Sequence, residues 1–511
     1  MFSLSYALEY CFIQVAVRTF GLPLEGGFVL YRLKLWTFFT VYSKNGKSIG
    51  YFKNFTSYTD KAVDYFGIVF CKELSKEPQT LENLVKNICQ SYTDAKAEEV
   101  RNDAIDFYAE LENDGFIVSG ETVDELNNKD SGFSFSAPQN IEPSGIKMNR
   151  ESGWSLMCKE LGGAPLLLET QIELTNRCNE RCVHCYLPIS DRKSSCDIDI
   201  EPLTFYSFVK QAKELGMLSI SITGGEPMLH KNFLEFLRYV KANGFAITLF
   251  TNLTMLTDEI MNELISPQII AVRVSLYSMD ACVHDDITKI PGSFRKTFSN
   301  IQKLMKYNIP VQINTPIMKQ NKDTFMDVVK WGQNNNVRVV ADYRIFATYD
   351  LEGKKQLSNR LSLQDLEPVI RKLLPTDFRF IAEKNKLQRK EHNFENELCC
   401  GCCMYTFCMN ARGDVYPCNG WQNYVLGNIR ETSIENIIVN SEKAIYIRNL
   451  RRKQFKKCLE CKHIDFCHFC LMGNALEDKD GNMLNLNQYY CDAAALHHKI
   501  IDDAIAEEKC L

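Results

Sequence analysis

The sequence lacks long uninterrupted apolar stretches and has no excess of positive charge. Its 59 Lys and Arg are outnumbered by 64 Asp and Glu, which gives a formal net charge of -5. A negative balance gives no reason to expect nucleic acid or an anionic membrane as a partner. The first residues, MFSLSYALEYCFIQVAVRTFG, lack the basic start of a signal peptide, and Glu9 and Arg18 interrupt the apolar run. We therefore expect a cytoplasmic protein without a membrane span.

Cysteine, in contrast, is abundant: the chain has 21 cysteines among 511 residues. Secreted proteins that depend on a disulfide framework are short chains, so this length argues against that class. In a reducing compartment, clustered cysteines bind metal more often than they form disulfides. Because 45% of the residues are hydrophobic and 24% are charged, the chain is globular, with a length that suits two to four domains.

The pattern of apolar residues divides the chain into segments. Between 166 and 348, strand-like and amphipathic helix-like runs alternate six times, which predicts an α/β fold with a parallel sheet curled into a partial (β/α)6 barrel. Before it, TLENLVKNICQSY and KAEEVRNDAIDFYAELEND have helical periodicity and indicate a small α+β domain. The predicted segments are 1–45 (unassigned), 46–125 (α+β domain), 126–165 (polar linker), 166–348 (barrel), 349–397 (helical bridge) and 398–511 (cysteine-dense domain).

The first cysteine motif follows the first predicted barrel strand. In ELTNRCNERCVHCYLP, Cys178, Cys182 and Cys185 have the spacing C-x3-C-x2-C. Parallel α/β folds place active sites at the carboxyl ends of strands. Three thiolates can hold a cubane iron–sulfur cluster by three of its irons and leave the fourth free for a small molecule. The alternatives are structural zinc, which normally takes four protein ligands, and three unrelated buried thiols.

The segment CNERCVHC resembles the signature of the radical S-adenosylmethionine (SAM) superfamily, with His184 at the position of an aromatic residue. The resemblance implies a [4Fe–4S] cluster whose open iron binds the amino and carboxyl groups of S-adenosyl-L-methionine. It also implies that one electron cleaves the sulfonium to a 5′-deoxyadenosyl radical, with a reductant such as flavodoxin or ferredoxin as the electron source. The protein then orients cofactor and substrate.

Further motifs at the ends of the next strands support this resemblance. SISITGGEPML resembles the Gly-Gly-Glu-Pro motif that binds the methionine amino group, although alone it could be an ordinary strand-to-helix turn. LFTNLT stands where family members often have Thr-Asn-Gly, with Leu253 in place of the glycine, and VRVSLYS supplies a serine for the ribose. The residues that the resemblance assigns to SAM binding are Gly224, Gly225, Glu226, Pro227, Asn252 and Ser275.

A second field of cysteines fills the C-terminal domain. Its pattern is C-x9-G-x4-C through Gly413, then C-x2-C-x5-C-x2-C and a last cysteine in QYYCDAA. It resembles the SPASM extension of radical SAM peptide-modifying enzymes, which carries auxiliary iron–sulfur clusters, and RGDVYPC, LGNI and SIENI fit that extension too. The alternative is a zinc ribbon, because two C-x2-C pairs suit tetrahedral Zn²⁺.

The SPASM resemblance implies one or two auxiliary [4Fe–4S] clusters. The first would use Cys458, Cys461, Cys467 and Cys491. The second would use Cys418 and Cys470 with upstream cysteines, for which we predict Cys400 and Cys403. The sequence leaves open which of Cys399, Cys400, Cys402, Cys403 and Cys408 take part. The last C-x2-C pair is one residue shorter than in many members, which puts the assignment of Cys470 and full coordination of the second cluster in doubt.

The 46–125 segment resembles the small winged-helix domain that recognises leader peptides. Such domains bind an extended leader as an added strand at a sheet edge. Winged helices also bind DNA, but an acidic set argues against phosphate contacts here: Asp103, Asp106, Glu110, Glu112 and Asp114.

Together the resemblances imply a peptide maturase. It would act on a ribosomally made precursor peptide with a leader and form thioether crosslinks from cysteine sulfur to carbon, as sactipeptide maturases do. The alternatives are a carbon–carbon crosslinking maturase and a sulfatase-maturing enzyme that forms formylglycine. From a different class, a zinc-stabilised binding or regulatory protein is also possible. No residue is predicted as a catalytic base.

Overall fold

The computed structural model describes residues 29–135 apart from 45 and 93, residues 153, 157 and 160–162, and residues 165–187, 197–349, 356–385 and 392–509. Most of the predicted unassigned segment 1–45 lies outside these residues. The chain divides into two compact units, Met1–Gly132 with Asn149–Gly163 and Phe133–Met148 with Ala164–Leu511. Of the helices in the described part, none has the length and apolarity needed to cross a membrane.

The first unit contains two small antiparallel sheets. Their strand orders are β2-β3-β4 and β5-β1-β6. The strands are β1 (Leu30–Leu33), β2 (Thr37–Lys44), β3 (Lys47–Asn54), β4 (Asp60–Val63), β5 (Gln79–Thr80) and β6 (Ile117–Gly120). The α+β fold therefore begins before residue 46, earlier than predicted. The reason is that consecutive apolar residues such as Phe38 and Phe39 hide the alternation by which a half-buried strand is recognised.

The helices of the first unit pack on these sheets. Thr80 caps the second helix, because its Oγ1 accepts a hydrogen bond from the Asn83 N–H at 3.2 Å. Val100, Ala104, Tyr108 and Leu111 form the buried face of the third helix. The helices are α1 (Tyr65–Lys72), α2 (Leu81–Ser91), α3 (Ala97–Asn113) and α4 (Val123–Lys129).

The second unit is built on a nine-stranded sheet with the order β12-β11-β10-β9-β8-β7-β13-β14-β15. Strands β7 to β12 are parallel, which confirms the predicted six-strand barrel core. Most apolar residues of the central strands are buried, as expected for a parallel sheet covered by helices, whereas Val340 of the edge strand β12 is exposed. The strands are β7 (Glu169–Glu173), β8 (Ser219–Thr223), β9 (Ala246–Thr251), β10 (Ile269–Ser275), β11 (Val311–Pro316), β12 (Arg338–Asp342), β13 (Thr406–Met409), β14 (Asp414–Tyr416) and β15 (Gly427–Asn428).

Helices connect the parallel strands and then form most of the C-terminal part. The connecting helices are α5 (Pro202–Glu214), α6 (Phe233–Ala242), α7 (Asp258–Leu264), α8 (Ala281–Thr288), α9 (Ser293–Lys306) and α10 (Phe325–Asn334). The later helices are α11 (Leu363–Leu373), α12 (Phe378–Lys384), α13 (Ile434–Asn440), α14 (Glu442–Asn449), α15 (Lys456–Leu459), α16 (Leu471–Glu477) and α17 (Gln488–Lys509).

The cysteine-dense segment extends the barrel sheet. Strand β13 pairs in parallel with β7, with Thr406 opposite Glu169 and Met409 opposite Ile172. Strands β14 and β15 then continue the sheet in antiparallel fashion. These strands are two to four residues long, too short for a periodic pattern to reveal them. The pairing places the second field of cysteines next to the strand that leads into the first cysteine motif.

Leu253, just after β9, has a left-handed backbone with φ +62°. Its side chain is fully buried in the main core, and its N–H donates to Thr251 Oγ1 at 2.8 Å. A left-handed conformation costs an ordinary residue about 1–2 kcal/mol, whereas glycine adopts it freely. Leu253 therefore has the left-handed conformation that glycine adopts easily, and glycine is the residue at this position in the Thr-Asn-Gly pattern. The leucine side chain fills the core.

Comparing glycine with alanine at Leu253 separates the two effects. Both substitutions lose the buried side chain, which costs about 2–5 kcal/mol. We expect Leu253→Gly to be more stable than Leu253→Ala by up to about 1 kcal/mol, because only glycine escapes the backbone strain. Urea unfolding of the two variants measures the difference. At Leu249, in the extended backbone of β9, the order should reverse by about 0.5–1 kcal/mol. The same order at both positions would contradict the strain argument.

Candidate functional site

The first cysteine motif lies on a loop that follows β7 and is held against the end of α8. The Arg181 N–H donates to Thr288 O at 2.9 Å, and the Val183 N–H donates to Ile287 O at 3.0 Å. Within the loop, the Cys185 N–H donates to Cys182 O at 3.1 Å. These backbone bonds hold the loop in one conformation at the carboxyl end of the first barrel strand.

The structure brings the thiols of Cys178, Cys182 and Cys185 together in a buried site. Burial raises the pKa of Cys178 to about 12 and that of Cys185 to about 11, and the Cys185 thiol adds to the shift of Cys178. Burial also raises the pKa of Cys182 far above its usual value. Isolated thiols here would stay protonated, so thiolates would form only with a strong positive charge beside them, which iron ions provide.

The donor set suits a cluster. Among the described residues, no three or more His, Cys, Asp or Glu side chains converge closely enough to hold a single metal ion. Thiolates that hold a cubane bind different irons, so they are spread more widely than the ligands of one ion. Three thiols match the three protein ligands of a [4Fe–4S] cluster with an open iron, whereas a structural zinc ion normally takes four.

Polar side chains that the sequence analysis did not select surround these thiols. Cys182 Sγ donates to Glu180 Oε2 at 3.4 Å, and Tyr277 OH donates to Cys182 Sγ at 3.5 Å. The His184 ring packs edge-on against Tyr277, with 5.1 Å between centroids. Glu180 Oε1 and His184 Nδ1 are buried without a hydrogen-bond partner among the described residues. Such orphaned atoms indicate room for a further polar group. Only the nearness of Glu180 to the motif could have suggested it from sequence.

The two glycines of the Gly-Gly-Glu-Pro motif allow close approach to the cysteine loop. A Cβ on Gly224, whose φ is +152°, would lie 2.4 Å from Thr175 O, and one on Gly225 would lie 2.1 Å from Arg177 O. The Gly225 N–H donates to Thr175 O at 2.8 Å. Any side chain at either position would push the motif away from the loop. Glycine is therefore required here because the motif packs directly against the backbone of Thr175 and Arg177.

The carboxylate of Glu226 is used inside the protein. It is fully buried; Oε1 accepts from Thr251 Oγ1 at 2.8 Å and Oε2 accepts from the Asn252 N–H at 2.8 Å. Burial raises its pKa to about 7, and these hydrogen bonds act in the opposite direction. Glu226 therefore braces the end of β9, and Pro227 starts a buried short turn, Pro227–Leu229. In this arrangement the backbone of the motif, rather than its carboxylate, remains for a ligand.

The remaining predicted SAM-binding residues lie at the ends of neighbouring strands. Asn252 Nδ2 donates to Asn179 Oδ1 at 2.8 Å and lies 3.9 Å from Cys178 Sγ. Ser275 ends β10 and interacts with the Tyr277 side chain. The structure thus places the predicted residues at the carboxyl ends of β8, β9 and β10, beside the cysteine loop that follows β7.

The C-terminal domain contains a cavity of 330 Å³ lined by cysteines. Its lining includes the four residues predicted for the first auxiliary cluster, and Cys470: Cys458, Cys461, Cys467, Cys470 and Cys491. The volume lies at the lower end of ligand cavities, about 300–1,000 Å³. Burial raises the pKa of Cys467 to about 11, and its neighbours Cys491 and Cys458 raise it further. The cavity can accept a cluster with the predicted ligands.

A second group of cysteines gathers around Cys418. The Cys402 thiol is hydrogen bonded to both Cys400 and Cys418, and its bond lowers the pKa of Cys400 to about 6. Cys470 also lies within electrostatic reach of Cys418. Cys403, predicted as a ligand, is buried within electrostatic reach of Cys400 and Cys418. Its backbone is left-handed, with φ +60°.

Three cysteines left open by the sequence take different positions. Cys402 joins the group around Cys418, Cys408 lies within electrostatic reach of Cys418 and Cys403, and Cys399 lies within electrostatic reach of Cys400 and Cys458. Spacing could not separate these candidates, because Cys399, Cys400, Cys402 and Cys403 fall in a single CCGCC run. The directions of these cysteine side chains depend on the conformation of the turn that leads into β13.

Two family models match the chain. Residues 172–332 match the Radical SAM superfamily, and residues 399–462 match SPASM, the iron–sulfur cluster-binding domain. An AdoMet-dependent heme synthase from Methanosarcina barkeri is 28% identical over 58% of this chain and 89% of its own length. The subtilosin biosynthesis protein AlbA from Bacillus subtilis is 33% identical over 34% of this chain and 38% of its own length.

A solved structure resembles nearly the whole chain. SuiB from Streptococcus suis, crystallised with the precursor peptide SuiA, has a TM-score of 0.57, with 16% identity, and the match covers 90% of this chain and 98% of that one. At this identity the likeness shows the fold alone. The chain therefore contains a radical SAM domain, followed by a C-terminal SPASM domain. Its cofactors are S-adenosyl-L-methionine, a [4Fe–4S] cluster and auxiliary iron–sulfur clusters.

Replacing Cys178 should remove the radical SAM cluster alone. We expect anaerobically reconstituted Cys178→Ala to lose the iron and sulfide of one cluster and all release of 5′-deoxyadenosine from SAM under dithionite, because two thiolates hold a cubane poorly. Cys282, exposed on α8, offers the matched control, and Cys282→Ala should keep both. Continued release of 5′-deoxyadenosine by a Cys178→Ala, Cys182→Ala, Cys185→Ala variant would refute the assignment.

The two auxiliary groups should lose their clusters independently. We expect Cys461→Ser to remove the cluster of the 330 Å³ cavity and Cys418→Ser to remove the other one, each with one cluster's share of iron and sulfide. Electron paramagnetic resonance of the reduced variants should show two different missing signals. Zinc without sulfide in the purified protein, or the same missing signal in both variants, would contradict this arrangement.

Proposed function

We propose that this radical SAM enzyme modifies a ribosomally synthesised precursor peptide and forms thioether crosslinks from cysteine sulfur to carbon. The observation that carries the proposal is the first unit, a β2-β3-β4 sheet with helices α1 to α3, in one chain with the radical SAM and SPASM domains. The names of relatives agree, since AlbA serves subtilosin biosynthesis and SuiB was crystallised with its precursor peptide.

The edge strand β4 is the proposed docking place for the leader. It pairs with β3 on one side, with Tyr51 opposite Ala62. Lys61 of β4 makes ion pairs with Glu110 at 2.5 Å and Asp114 at 2.6 Å, which tie the strand to α3 and its C-terminal cap. A Cβ on Gly153 would lie 2.5 Å from Ala62 N, so main chain already approaches this edge closely. An extended leader would add here through backbone hydrogen bonds and displace Gly153.

The barrel residues would present the peptide to the radical. The open cluster with bound SAM supplies the adenosyl radical that removes a hydrogen atom from a peptide carbon. Backbone bonds of the cysteine loop and the Glu226 brace keep the ends of β7, β8 and β9 in fixed positions. Such fixed geometry is how a protein directs a reactive cofactor to one bond.

The overall reaction balances without another oxidant. The peptide loses one hydrogen atom from carbon, which ends in 5′-deoxyadenosine, and one proton from the cysteine thiol, which goes to solvent. A carbon–sulfur bond forms in the peptide, and the sulfonium bond of SAM breaks to give methionine. The electron used to cleave SAM is recovered when the new bond forms, so SAM is the two-electron oxidant.

Mass spectrometry tests the proposal. We expect the reconstituted full chain, with SAM, dithionite and a cysteine-containing precursor, to produce a peptide that lacks two hydrogens per crosslink and has fewer alkylatable thiols. A core peptide without its leader should react far less, and Cys178→Ala not at all. An unchanged peptide mass would refute the thioether proposal. The same mass loss with all thiols still alkylatable would indicate a carbon–carbon crosslink, and an aldehyde would indicate formylglycine.

Heme synthesis is a second candidate, favoured by the 28% identity to the AdoMet-dependent heme synthase. The peptide proposal accounts for the first unit, for which a tetrapyrrole substrate has no evident use. Incubation of the same reconstituted enzyme with a heme precursor separates the two. Turnover of the tetrapyrrole, with precursor peptides left unmodified, would favour the second candidate.

A further inference from the structure

Glu173 is a buried carboxylate that the chemistry described so far does not use. It is the last residue of β7 and its side chain is almost completely buried. Tyr416 OH donates to Oε1 at 2.5 Å, and Gln422 Nε2 lies 2.8 Å from Oε1 and 2.7 Å from Oε2. Both partners come from the cysteine-dense domain, so Glu173 links the first barrel strand to the segment around Cys418.

The position of Glu173 is between two groups of cluster cysteines. Its charge acts on Cys185 of the first motif and on Cys408 beside Cys418. Tyr186, which directly follows Cys185, lies within electrostatic reach of Glu173 and of Cys418. Tyr416 stands two residues before Cys418. The same carboxylate is therefore hydrogen bonded to the segment around Cys418 and lies within electrostatic reach of Cys185.

The hydrogen bonds favour the ionised form of Glu173. The Tyr416 phenol and the Gln422 amide NH₂ both donate to the carboxylate, and such bonds stabilise its negative charge. Burial raises the pKa of Glu173 to about 7, and the bonds from Tyr416 and Gln422 oppose that shift. At mildly alkaline pH the carboxylate is therefore charged, and both of the named partners are neutral.

We propose that Glu173 is a positioning residue that holds the Cys185 loop against the Cys418 segment and lowers the reduction potentials of the two clusters bound there. A nearby negative charge disfavours the added electron of a reduced cluster, and the effect is large where water is excluded. A low potential suits the cluster that must reduce SAM. The inference rests on the cluster assignments above and is independent of which substrate is modified.

Neutralising Glu173 tests this without any substrate. In Glu173→Gln, Gln422 can turn its amide to keep a hydrogen bond while the charge is lost. We expect the ratio of reduced to oxidised cluster at a fixed potential to rise about tenfold for the Cys185 and Cys418 clusters, which is about 59 mV for one electron. Redox titration with electron paramagnetic resonance measures the three potentials, with signals assigned through the Cys178, Cys418 and Cys461 variants.

The Cys461 cluster is the internal control. The charges acting on its ligands include Arg452, Lys457 and their own neighbouring thiols, so its potential should not move in Glu173→Gln. An equal shift of all three clusters, no shift at all, or a protein without a Cys418-dependent cluster would each overturn the proposal.

A second variant guards against misfolding of the first. Tyr416→Phe removes one donor to the carboxylate and so raises the pKa of Glu173 further; at neutral pH the group then becomes protonated, and both flanking potentials should rise towards those of Glu173→Gln. Unchanged or lowered potentials in Tyr416→Phe at neutral pH would overturn the proposal even if Glu173→Gln assembled no clusters. Glu173→Asp keeps the charge and should restore potentials close to those of the unmodified enzyme, which a merely space-filling role of Glu173 would not predict.

Discussion

Strand β7 is the constraint on which the second unit depends. It pairs in parallel with β8 on one side and with β13 on the other. The carboxyl end of β7 therefore leads directly to the first cysteine motif, while β13 brings the cysteine-dense segment alongside. Hydrogen-bonded neighbouring strands lie about 4.8 Å apart, so β13 stays next to β7. The first cysteine motif and the cysteine-dense segment are therefore held close to each other. Backbone hydrogen bonding between strands alone therefore places the two cysteine sites next to each other, without any contribution from a cofactor.

Two buried carboxylates use this geometry in different ways. Burial raises the pKa of both Glu226 and Glu173 to about 7. Glu226 accepts hydrogen bonds from the end of β9, and Glu173 accepts one from Tyr416 at the end of β14. Glu226 receives a backbone N–H from Asn252 and thereby shapes the end of β9. Among the described residues, the donors to Glu173 are the side chains of Tyr416 and Gln422, so its removal leaves the described backbone pairing in place. A backbone donor makes a carboxylate part of the fold, whereas side-chain donors leave it free to serve the electrostatics of the site.

The sequence predicts the barrel and the first motif well for physical reasons. Parallel strands buried on both faces read as apolar runs, and the Cys178 motif is local, so its spacing survives in the fold unchanged. What it does not reveal depends on distant contacts. Nothing near Glu226 indicates that its carboxylate turns inward to Thr251, and nothing in the CCGCC run tells Cys402 from Cys403. The start of the first unit was missed because β2 has apolar residues on both faces.

Leu253 shows how a departure from a family pattern can be accommodated rather than lost. The left-handed turn at Leu253 directly follows Asn252, whose N–H donates to Glu226 and whose side chain donates to Asn179 in the cysteine loop. Glycine would allow that turn without strain but would leave a hole in the core, since the position is fully buried. Leucine accepts about 1–2 kcal/mol of backbone strain. It gains about 1.5–3 kcal/mol of burial in return. The two ranges overlap and the second extends higher, so burial of the leucine side chain offsets the strain and the geometry around Asn252 can persist without the glycine.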